Sequence, residues 1–206
     1  TIRKLLGRAV GEANPPLGCR TLEELPQANH DLPESTEEDL ALVQFSSGTT
    51  GMPKPVALTH RAIMAQGQVI LQTMKKDFPD NTESWRCVCW LPLYHDMGLI
   101  GCVVPSLMHR ADLVLIRPED FIAKPALWLR ALSRHKGIIS TAPNFAYGLC
   151  AQRIRDEEIE GIDLSSWEIA LNGAEAVRSS TVESFCERFG PYGFKKEAMT
   201  PVYGLS

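Results

Sequence analysis

The sequence predicts an α/β fold in which a mostly parallel β-sheet is flanked by helices. Two observations carry this prediction. Short apolar runs of strand length alternate with longer segments of helical periodicity along residues 40–206, and this alternation is typical of the βα units that build parallel sheets. In addition, most of the apolar runs stop at glycine or polar residues, as strands do where the chain leaves a sheet.

The elements follow one another in a regular order. The first apolar run, residues 40–45, is interpreted as a buried strand. Thr59 is a suitable N-cap for a helix that runs to about Met74, because its hydroxyl can accept a backbone N–H. Pro143 would stand in the favoured first turn of a later helix. The other strands are predicted at residues 55–58, 86–91, 111–116, 137–141, 167–171 and 199–203, and the other helices at 97–108, 126–135, 143–155 and 179–189.

Two regions of different composition are distinguished along the chain. Residues 1–39 carry a proline-rich turn and an acidic stretch, and we interpret them as a segment or linker leading into the first strand. Residues 40–206 contain the α/β pattern. A recognisable motif begins at Tyr203 and stops at Ser206, so we expect residues 40–206 to be the central part of a larger domain that is truncated at its C-terminal end.

Composition excludes several classes of function. The chain has 206 residues, of which 44% are hydrophobic and 22% charged, as is ordinary for a globular protein. The net charge of −4 comes from interspersed acids and bases, so no basic stripe is available for nucleic acid. No apolar run is long enough for stable membrane insertion. The six cysteines lack zinc-site spacing, and we interpret them as reduced core thiols of a cytoplasmic protein.

A loop rich in hydroxyl groups and glycine follows the first strand. Glycines allow several backbone N–H groups to point at one anion, and hydroxyl and lysine side chains add donors and positive charge. Such clusters are also common in flexible surface hairpins, and the spacing is not that of a Walker A loop. Both interpretations stay open for the residues concerned, which are Ser46, Ser47, Gly48, Thr49, Thr50, Gly51 and Lys54.

Further polar loops follow other predicted strands. Loops that leave the carboxyl ends of parallel strands lie on one rim of the sheet, where ligands bind. One of these loops contains His95 and Asp96, which by themselves are either a satisfied structural pair or part of a nucleophilic triad. The absence of a Gly-x-Ser-x-Gly elbow disfavours a hydrolase. We expect one shared site built by residues 46–54, 92–98, 142–145, 172–175 and 203–206.

Taken together, these motifs resemble those of the adenylate-forming superfamily, whose members activate carboxylic acids with ATP. The phosphate loop of that superfamily is similar to residues 46–54, and its aromatic nucleotide motif to residues 203–206. Within the superfamily the chain is most similar to the fatty acyl-AMP ligases, and the resemblance covers about residues 40–206. The segments that carry this narrower resemblance are residues 91–101, 142–147 and 171–175.

Two positions depart from the pattern of the family. Pro55 stands where glycine usually follows the lysine of the phosphate loop, and proline removes one N–H donor there. Ala176 stands where many relatives have proline after the acidic residue Glu175. Neither change removes a reacting group.

The resemblance implies a role for each motif. The loop at residues 46–54 would hold the β- and γ-phosphates of ATP, and Lys54 and His95 are the expected catalytic residues. His95 would lie beside the acyl carboxylate and the α-phosphate. Mg²⁺ would accompany ATP, with the acid that binds it immediately after Ser206, so no metal ligand is expected within the chain. The resemblance also implies nucleotide binding by Asn172, Gly173, Ala174, Glu175, Tyr203, Gly204, Leu205 and Ser206, and an acyl pocket lined by Met97, Gly98, Gly101, Asn144, Phe145 and Tyr147.

The reaction implied by the resemblance is the activation of a fatty acid to an acyl-adenylate with release of pyrophosphate. The acyl group would then pass to an acyl carrier protein, usually for polyketide or lipopeptide synthesis. Members of the family also use a C-terminal domain that brings a catalytic lysine, so we expect the present chain alone to be inactive. The alternatives are a CoA ligase or amino-acid-activating domain of the same superfamily, and a non-catalytic nucleotide- or acyl-binding module.

Overall fold

The computed structural model describes residues 34–46, 54–77 and 85–204, and the compact unit considered below begins at Thr36. Its strands are β1 (Leu40–Ser46), β2 (Lys54–Thr59), β3 (Arg86–Cys89), β4 (Asp112–Leu115), β5 (Ile139–Pro143), β6 (Ile169–Gly173) and β7 (Met199–Pro201). Its α-helices are α1 (His60–Asp77), α2 (Asp96–Gly98), α3 (Val104–His109), α4 (Pro118–Ala123), α5 (Ala126–Arg134), α6 (Asn144–Arg153) and α7 (Ser179–Phe189). A π-helical segment (Leu99–Val103) joins α2 to α3, and 3₁₀ turns lie at Asp156–Glu158, Gly190–Tyr192 and Lys196–Ala198.

A five-stranded sheet forms the centre of the fold. Its strand order is β4-β3-β5-β6-β7, and every neighbouring pair is parallel. The predicted α/β fold with a parallel sheet is therefore confirmed. From β3 the chain continues to β4 at one edge of the sheet, whereas from β5 it continues through β6 to β7 at the opposite edge. The strand order thus reverses between β3 and β5, and a reversal of this kind opens a crevice at the carboxyl ends of the strands.

The first strand does not belong to this central sheet. β1 pairs antiparallel with β2, with Ser46 opposite Lys54. The expectation that residues 40–45 form a buried strand was right about the strand and wrong about its burial, since Leu40 is 63% and Phe45 66% exposed in this chain. An apolar run indicates a strand but does not determine its pairing partner. Here the partner is the next strand along the chain, and the two form a hairpin.

An aromatic core fills one face of the sheet. The right-handed connections of parallel strands place α4 to α7 together on this face, and Trp128 lies at its centre with ring contacts to Phe121, Tyr147 and Trp167. The indole Nε1 of Trp128 donates to the Ser140 hydroxyl at 2.8 Å. That hydroxyl in turn donates to a backbone carbonyl of β3 at 2.5 Å. These two bonds satisfy the buried indole N–H of Trp128 and the buried hydroxyl of Ser140.

The opposite face carries α2, the π-helical segment and α3, which pack against α1. The single helix expected over residues 97–108 is interrupted, because Val104 donates its N–H to Leu99 five residues back. Pro105 follows immediately and has no N–H to continue a regular helix. The Ser106 hydroxyl donates to the Cys102 carbonyl at 2.7 Å and so satisfies a carbonyl of the irregular turn.

Most other boundaries agree with the expectations to within two or three residues. Ala62 donates its N–H to the Thr59 hydroxyl at 3.2 Å, which confirms the cap of α1. Helix α4 was missed, although Pro118 at its first position and two acids in its first turn are recognised start signals. Within the described residues, none of the helices has the length and apolar composition that crossing a membrane requires.

Candidate functional site

The loop that leaves β3 is held in one shape by a close backbone contact. His95 donates its N–H to the Pro92 carbonyl at 3.1 Å, and Gly98 donates to the His95 carbonyl at 3.0 Å. A Cβ atom on Gly98 would lie 2.4 Å from the Pro92 carbonyl oxygen, well inside van der Waals contact. Glycine is therefore required at residue 98 for α2 to begin this close to the strand end.

His95 is oriented by its neighbour. Its Nδ1 lies 2.6 Å from Asp96 Oδ1, and the N–H of Met97 lies 2.8 Å from the same Oδ1 and 3.2 Å from Nδ1. Asp96 and the N–H of Met97 therefore both contact Nδ1. The Nε2 atom is then the ring nitrogen left to interact with a substrate. About half of the His95 side chain is exposed, so a ligand can reach it.

The β1–β2 hairpin lies beside this loop. Gln44 Nε2 donates to the Tyr94 carbonyl at 2.7 Å, which places the end of β1 next to His95. Ser46 is two residues further along β1, opposite Lys54. The predicted phosphate-binding residues Ser47, Gly48, Thr49, Thr50 and Gly51 lie outside the described residues.

Two further loops meet at the carboxyl ends of β5 and β6. Asn144 is buried, and its Oδ1 accepts from Arg178 N at 3.2 Å and from Asn172 Nδ2 at 3.4 Å. Glu175 Oε1 accepts from the N–H of Phe145 at 2.6 Å. These contacts join the segment expected to bind the acyl group to the segment expected to bind the nucleotide.

The exit of β7 lies next to the exit of β6. Val202 donates its N–H to the Asn172 carbonyl at 2.8 Å, and a Cβ on Gly173 would lie 2.6 Å from the Val202 carbonyl oxygen. Ala174 has a left-handed backbone with φ of +63°, a conformation that costs a residue with a side chain about 1–2 kcal/mol.

The remaining nucleotide-binding candidates follow β7 directly. Tyr203 is 89% exposed beside these strand ends, and Gly204 follows it. An exposed aromatic ring can stack on a planar ligand. Leu205 and Ser206 lie outside the described residues.

The predicted acyl-pocket residues are divided between the two faces of the sheet. Gly101 lines a small apolar recess between the π-helical segment and the sheet, together with Trp85, Cys87, Cys102, Pro105, Ser106, Ala111 and Ile139. Met97 is partly buried and packs on the core. Tyr147 lies instead in the aromatic core on the other face, fully buried, where its hydroxyl donates to the Leu171 carbonyl at 2.9 Å. Burial raises the pKa of Tyr147 well above its usual value.

A group of three thiols lies beside this recess. Cys87 and Cys89 alternate along β3 and face Cys102 of the π-helical segment, and all three are almost completely buried. Hydrogen bonding to Cys102 and burial raise the pKa of Cys89 far above its usual value. The interpretation of these cysteines as core thiols is confirmed. In the part of the chain that the structure describes, no cluster of acidic, histidine or cysteine side chains could hold a metal ion.

The fold and the site together define an α/β protein whose candidate ligand groups gather at the reversal point of a parallel sheet. The chain belongs to the family described as AMP-binding enzymes, whose model matches residues 7–206. It is 38% identical over 174 residues to the medium-chain-fatty-acid–[acyl-carrier-protein] ligase TtuA of Teredinibacter turnerae, covering 84% of this chain and 26% of that protein.

The chain is also similar to solved structures of fatty acyl-AMP ligases. The fatty acid AMP ligase of Legionella pneumophila is 41% identical with a TM-score of 0.77, over 84% of this chain and 30% of its own. A fatty acyl-adenylate ligase of L. pneumophila, in complex with acyl adenylate and pyrophosphate, is 40% identical with a TM-score of 0.74, over 82% of this chain and 29% of its own. The resemblance to the fatty acyl-AMP ligases is thus confirmed, and the chain spans between a quarter and a third of these relatives.

Proposed function

We propose that this chain contributes the nucleotide and acyl sites of a fatty acyl-AMP ligase, which converts a fatty acid and ATP to acyl-adenylate and pyrophosphate. The observation that carries the proposal is the arrangement of the sheet. Motifs separated by up to about 100 residues in sequence follow β3, β5, β6 and β7 and therefore lie on one rim, around the crevice where ligands bind in such sheets. The named relatives support the same activity.

The reaction is a displacement at phosphorus. A carboxylate oxygen of the fatty acid forms a bond to the α-phosphorus, and the bond from that phosphorus to the bridging oxygen breaks, so that pyrophosphate leaves with the electron pair. Lys54 and the hydroxyl and N–H groups of residues 46–51 would stabilise the negative charge of the leaving group. The hairpin contact through Gln44 supports this role, since it holds the base of that loop beside His95.

His95 would assist at the reacting carboxylate. Asp96 contacts Nδ1, so an N–H at Nε2 would donate to the negative charge where the carboxylate meets the α-phosphate. The nucleotide would lie against Tyr203 and Gly204 and along the backbone of residues 172–175, on the adjoining strand ends.

Mg²⁺ would arrive bound to ATP and neutralise part of its phosphate charge. The described residues do not themselves fit a magnesium site, because they contain no cluster of carboxylate ligands. We therefore assign no metal ligand within them.

The acyl chain would enter past Phe145, Met97 and Gly98 and run along the π-helical segment toward the recess at Gly101. Phe145 is 47% exposed at the rim, and the recess is lined mostly by apolar side chains. Asn144 is better explained as a residue that positions loops, because its buried amide bonds to both neighbouring segments. Tyr147 is left out of the proposed pocket, because its ring belongs to the core.

An acyl carrier protein is the proposed acceptor of the activated acyl group, and free CoA is the alternative. The five cysteines among the described residues are free, and four of them are buried, which supports a cytoplasmic location. The test uses a full-length protein that contains this chain and measures pyrophosphate exchange into ATP as a function of added fatty acid. Exchange that depends on a fatty acid is expected, with transfer to a carrier protein but not to CoA.

Several results would contradict the proposal. Exchange with amino acids and not with fatty acids would favour an amino-acid-activating domain. Thioester formation with CoA would favour a CoA ligase, and binding of ATP without exchange would favour a non-catalytic module. Lys54→Ala should lower exchange much more than it lowers the melting temperature, and the 206-residue chain alone should form no acyl-adenylate.

A further inference from the structure

The first turn of α6 is capped from a different loop. The residue before the helix is Pro143, and it provides no side-chain cap. Four N–H groups at a helix start have no partner within the helix, and one of them, that of Phe145, is taken by the Glu175 carboxylate at 2.6 Å. A negative charge is also favoured at this end of a helix.

The register of the sheet explains why these two residues meet. β5 and β6 are parallel neighbours, and Pro143 is paired with Gly173 at their carboxyl ends. Phe145 and Glu175 each lie two residues beyond that pair. Glu175 directly follows Ala174, whose backbone has a φ of +63°, and this local bend accompanies the approach of the carboxylate to α6.

Phe145 connects this pair to the other side of the crevice. Its ring is about half exposed, and it packs edge to face on Trp90, with ring centroids 6.2 Å apart. Trp90 directly follows β3. Glu175 holds the backbone N–H of Phe145, and the ring of the same residue reaches across the reversal point of the sheet, from the exit of β5 to the exit of β3.

We propose that Glu175 is a positioning residue that acts through Phe145. Its carboxylate bonds to the backbone N–H of Phe145 and so connects the segment that borders the nucleotide to the residue whose ring lies at the entrance of the acyl site. The inference rests on the proposed function and goes beyond it, because the resemblance gave Glu175 only a place beside the adenine. The ligand group that Phe145 would contact is an apolar acyl chain, since the benzyl side chain of Phe145 offers a ligand no hydrogen bond.

The test compares Glu175→Ala, Glu175→Gln, Phe145→Ala and the double variant Glu175→Ala/Phe145→Ala in a full-length protein. Glu175→Ala is expected to raise the KM for fatty acid about tenfold, as loss of a charge-assisted hydrogen bond would, with a smaller change in kcat. Glu175→Gln keeps an acceptor oxygen and should recover most of that loss. Glu160→Ala removes an exposed acid on the opposite rim and serves as the control.

The double variant separates positioning from simple capping of α6. If Glu175 acts through the Phe145 ring, its removal should raise KM less than about threefold further once that ring is absent. Equal, additive effects in both backgrounds would overturn the inference and leave Glu175 as a helix cap. A Glu175→Gln variant as impaired as Glu175→Ala would overturn it as well.

Amide hydrogen exchange tests the link without relying on turnover. The peptide containing the Phe145 amide should exchange faster in Glu175→Ala than in the parent or in Glu175→Gln. Unchanged exchange would show that the link is absent in solution. Failure of the proposed function is distinguishable, because the parent protein would then show no fatty-acid-dependent activity before any variant is compared. In that case the rate of amide hydrogen exchange at Phe145 would still decide whether the link between Glu175 and Phe145 exists.

Discussion

Replacing Gly98 by alanine should damage the site more than the fold. The new Cβ would lie 2.4 Å from the Pro92 carbonyl oxygen and 3.1 Å from its carbon, both of them backbone atoms that cannot rotate away. Relief of this clash requires a shift of about 1 Å at the start of α2, because ordinary contacts begin near 3.4 Å. His95 lies in the turn between these two residues and would move with it.

The size of the effect can be estimated from this shift. A displacement of about 1 Å at a reacting group can lower turnover about 100-fold. Overpacking costs about 1–3 kcal/mol, but Gly98 has helical dihedral angles, where alanine is better than glycine by about 1 kcal/mol. We therefore expect a net loss of unfolding free energy between about 0 and 2 kcal/mol.

The assay is fatty-acid-dependent pyrophosphate exchange in a full-length protein, with urea unfolding measured in parallel. Gly148→Ala is the matched control, because a Cβ there meets only a methyl group at 3.4 Å. It should keep full exchange and gain a little stability from helix propensity. Full exchange by Gly98→Ala, with unchanged stability, would refute the argument that the Pro92 contact shapes the His95 turn.

Three further predictions follow from individual contacts. Gln44→Ala removes the bond to the Tyr94 carbonyl and should raise the KM for ATP about two- to tenfold; an unchanged KM would show that this bond does not position the hairpin. Ser140→Ala leaves the buried Trp128 indole without its acceptor and should lower the unfolding free energy in urea by about 1–3 kcal/mol, whereas a neutral result would indicate a replacement partner. Hydrogen bonds from Ser165 and then Lys136 lower the pKa of Asp163, so its contribution to stability is present above about pH 4 and is lost as the pH falls. Asp163→Asn should therefore reduce the fall in melting temperature between about pH 5 and pH 2, and an identical fall in both proteins would contradict this assignment.

The parallel sheet could be predicted because its signals are local. Alternating strand and helix lengths, with glycine or polar residues at strand ends, appear in any window of the sequence. The placement of residues 40–45 could not be predicted in the same way. Their composition fits a buried central strand, but pairing with β2 or with a strand of the large sheet is decided by contacts far apart in sequence.

The same distinction applies to the candidate site. The loops could be predicted as neighbours, since all carboxyl ends of parallel strands share one rim. The role of Glu175 could not, because its partner Phe145 lies 30 residues away and the contact depends on the register of β5 and β6. The position of the Tyr147 ring could not be predicted either. This residue follows the Asn144–Phe145 pair closely, but helical rotation carries its ring to the core while Phe145 stays at the rim.

By itself the sequence determined the class of fold, the order of the motifs and the residue types at each strand end. These properties depend on local periodicity and on the chemistry of single side chains. Tertiary structure decided the strand order, the reversal between β3 and β5, and which side chain at each rim meets which neighbour. The physical reason is that strand pairing is non-local: a shift of one residue in register changes every cross-strand contact, and no single stretch of sequence contains both partners.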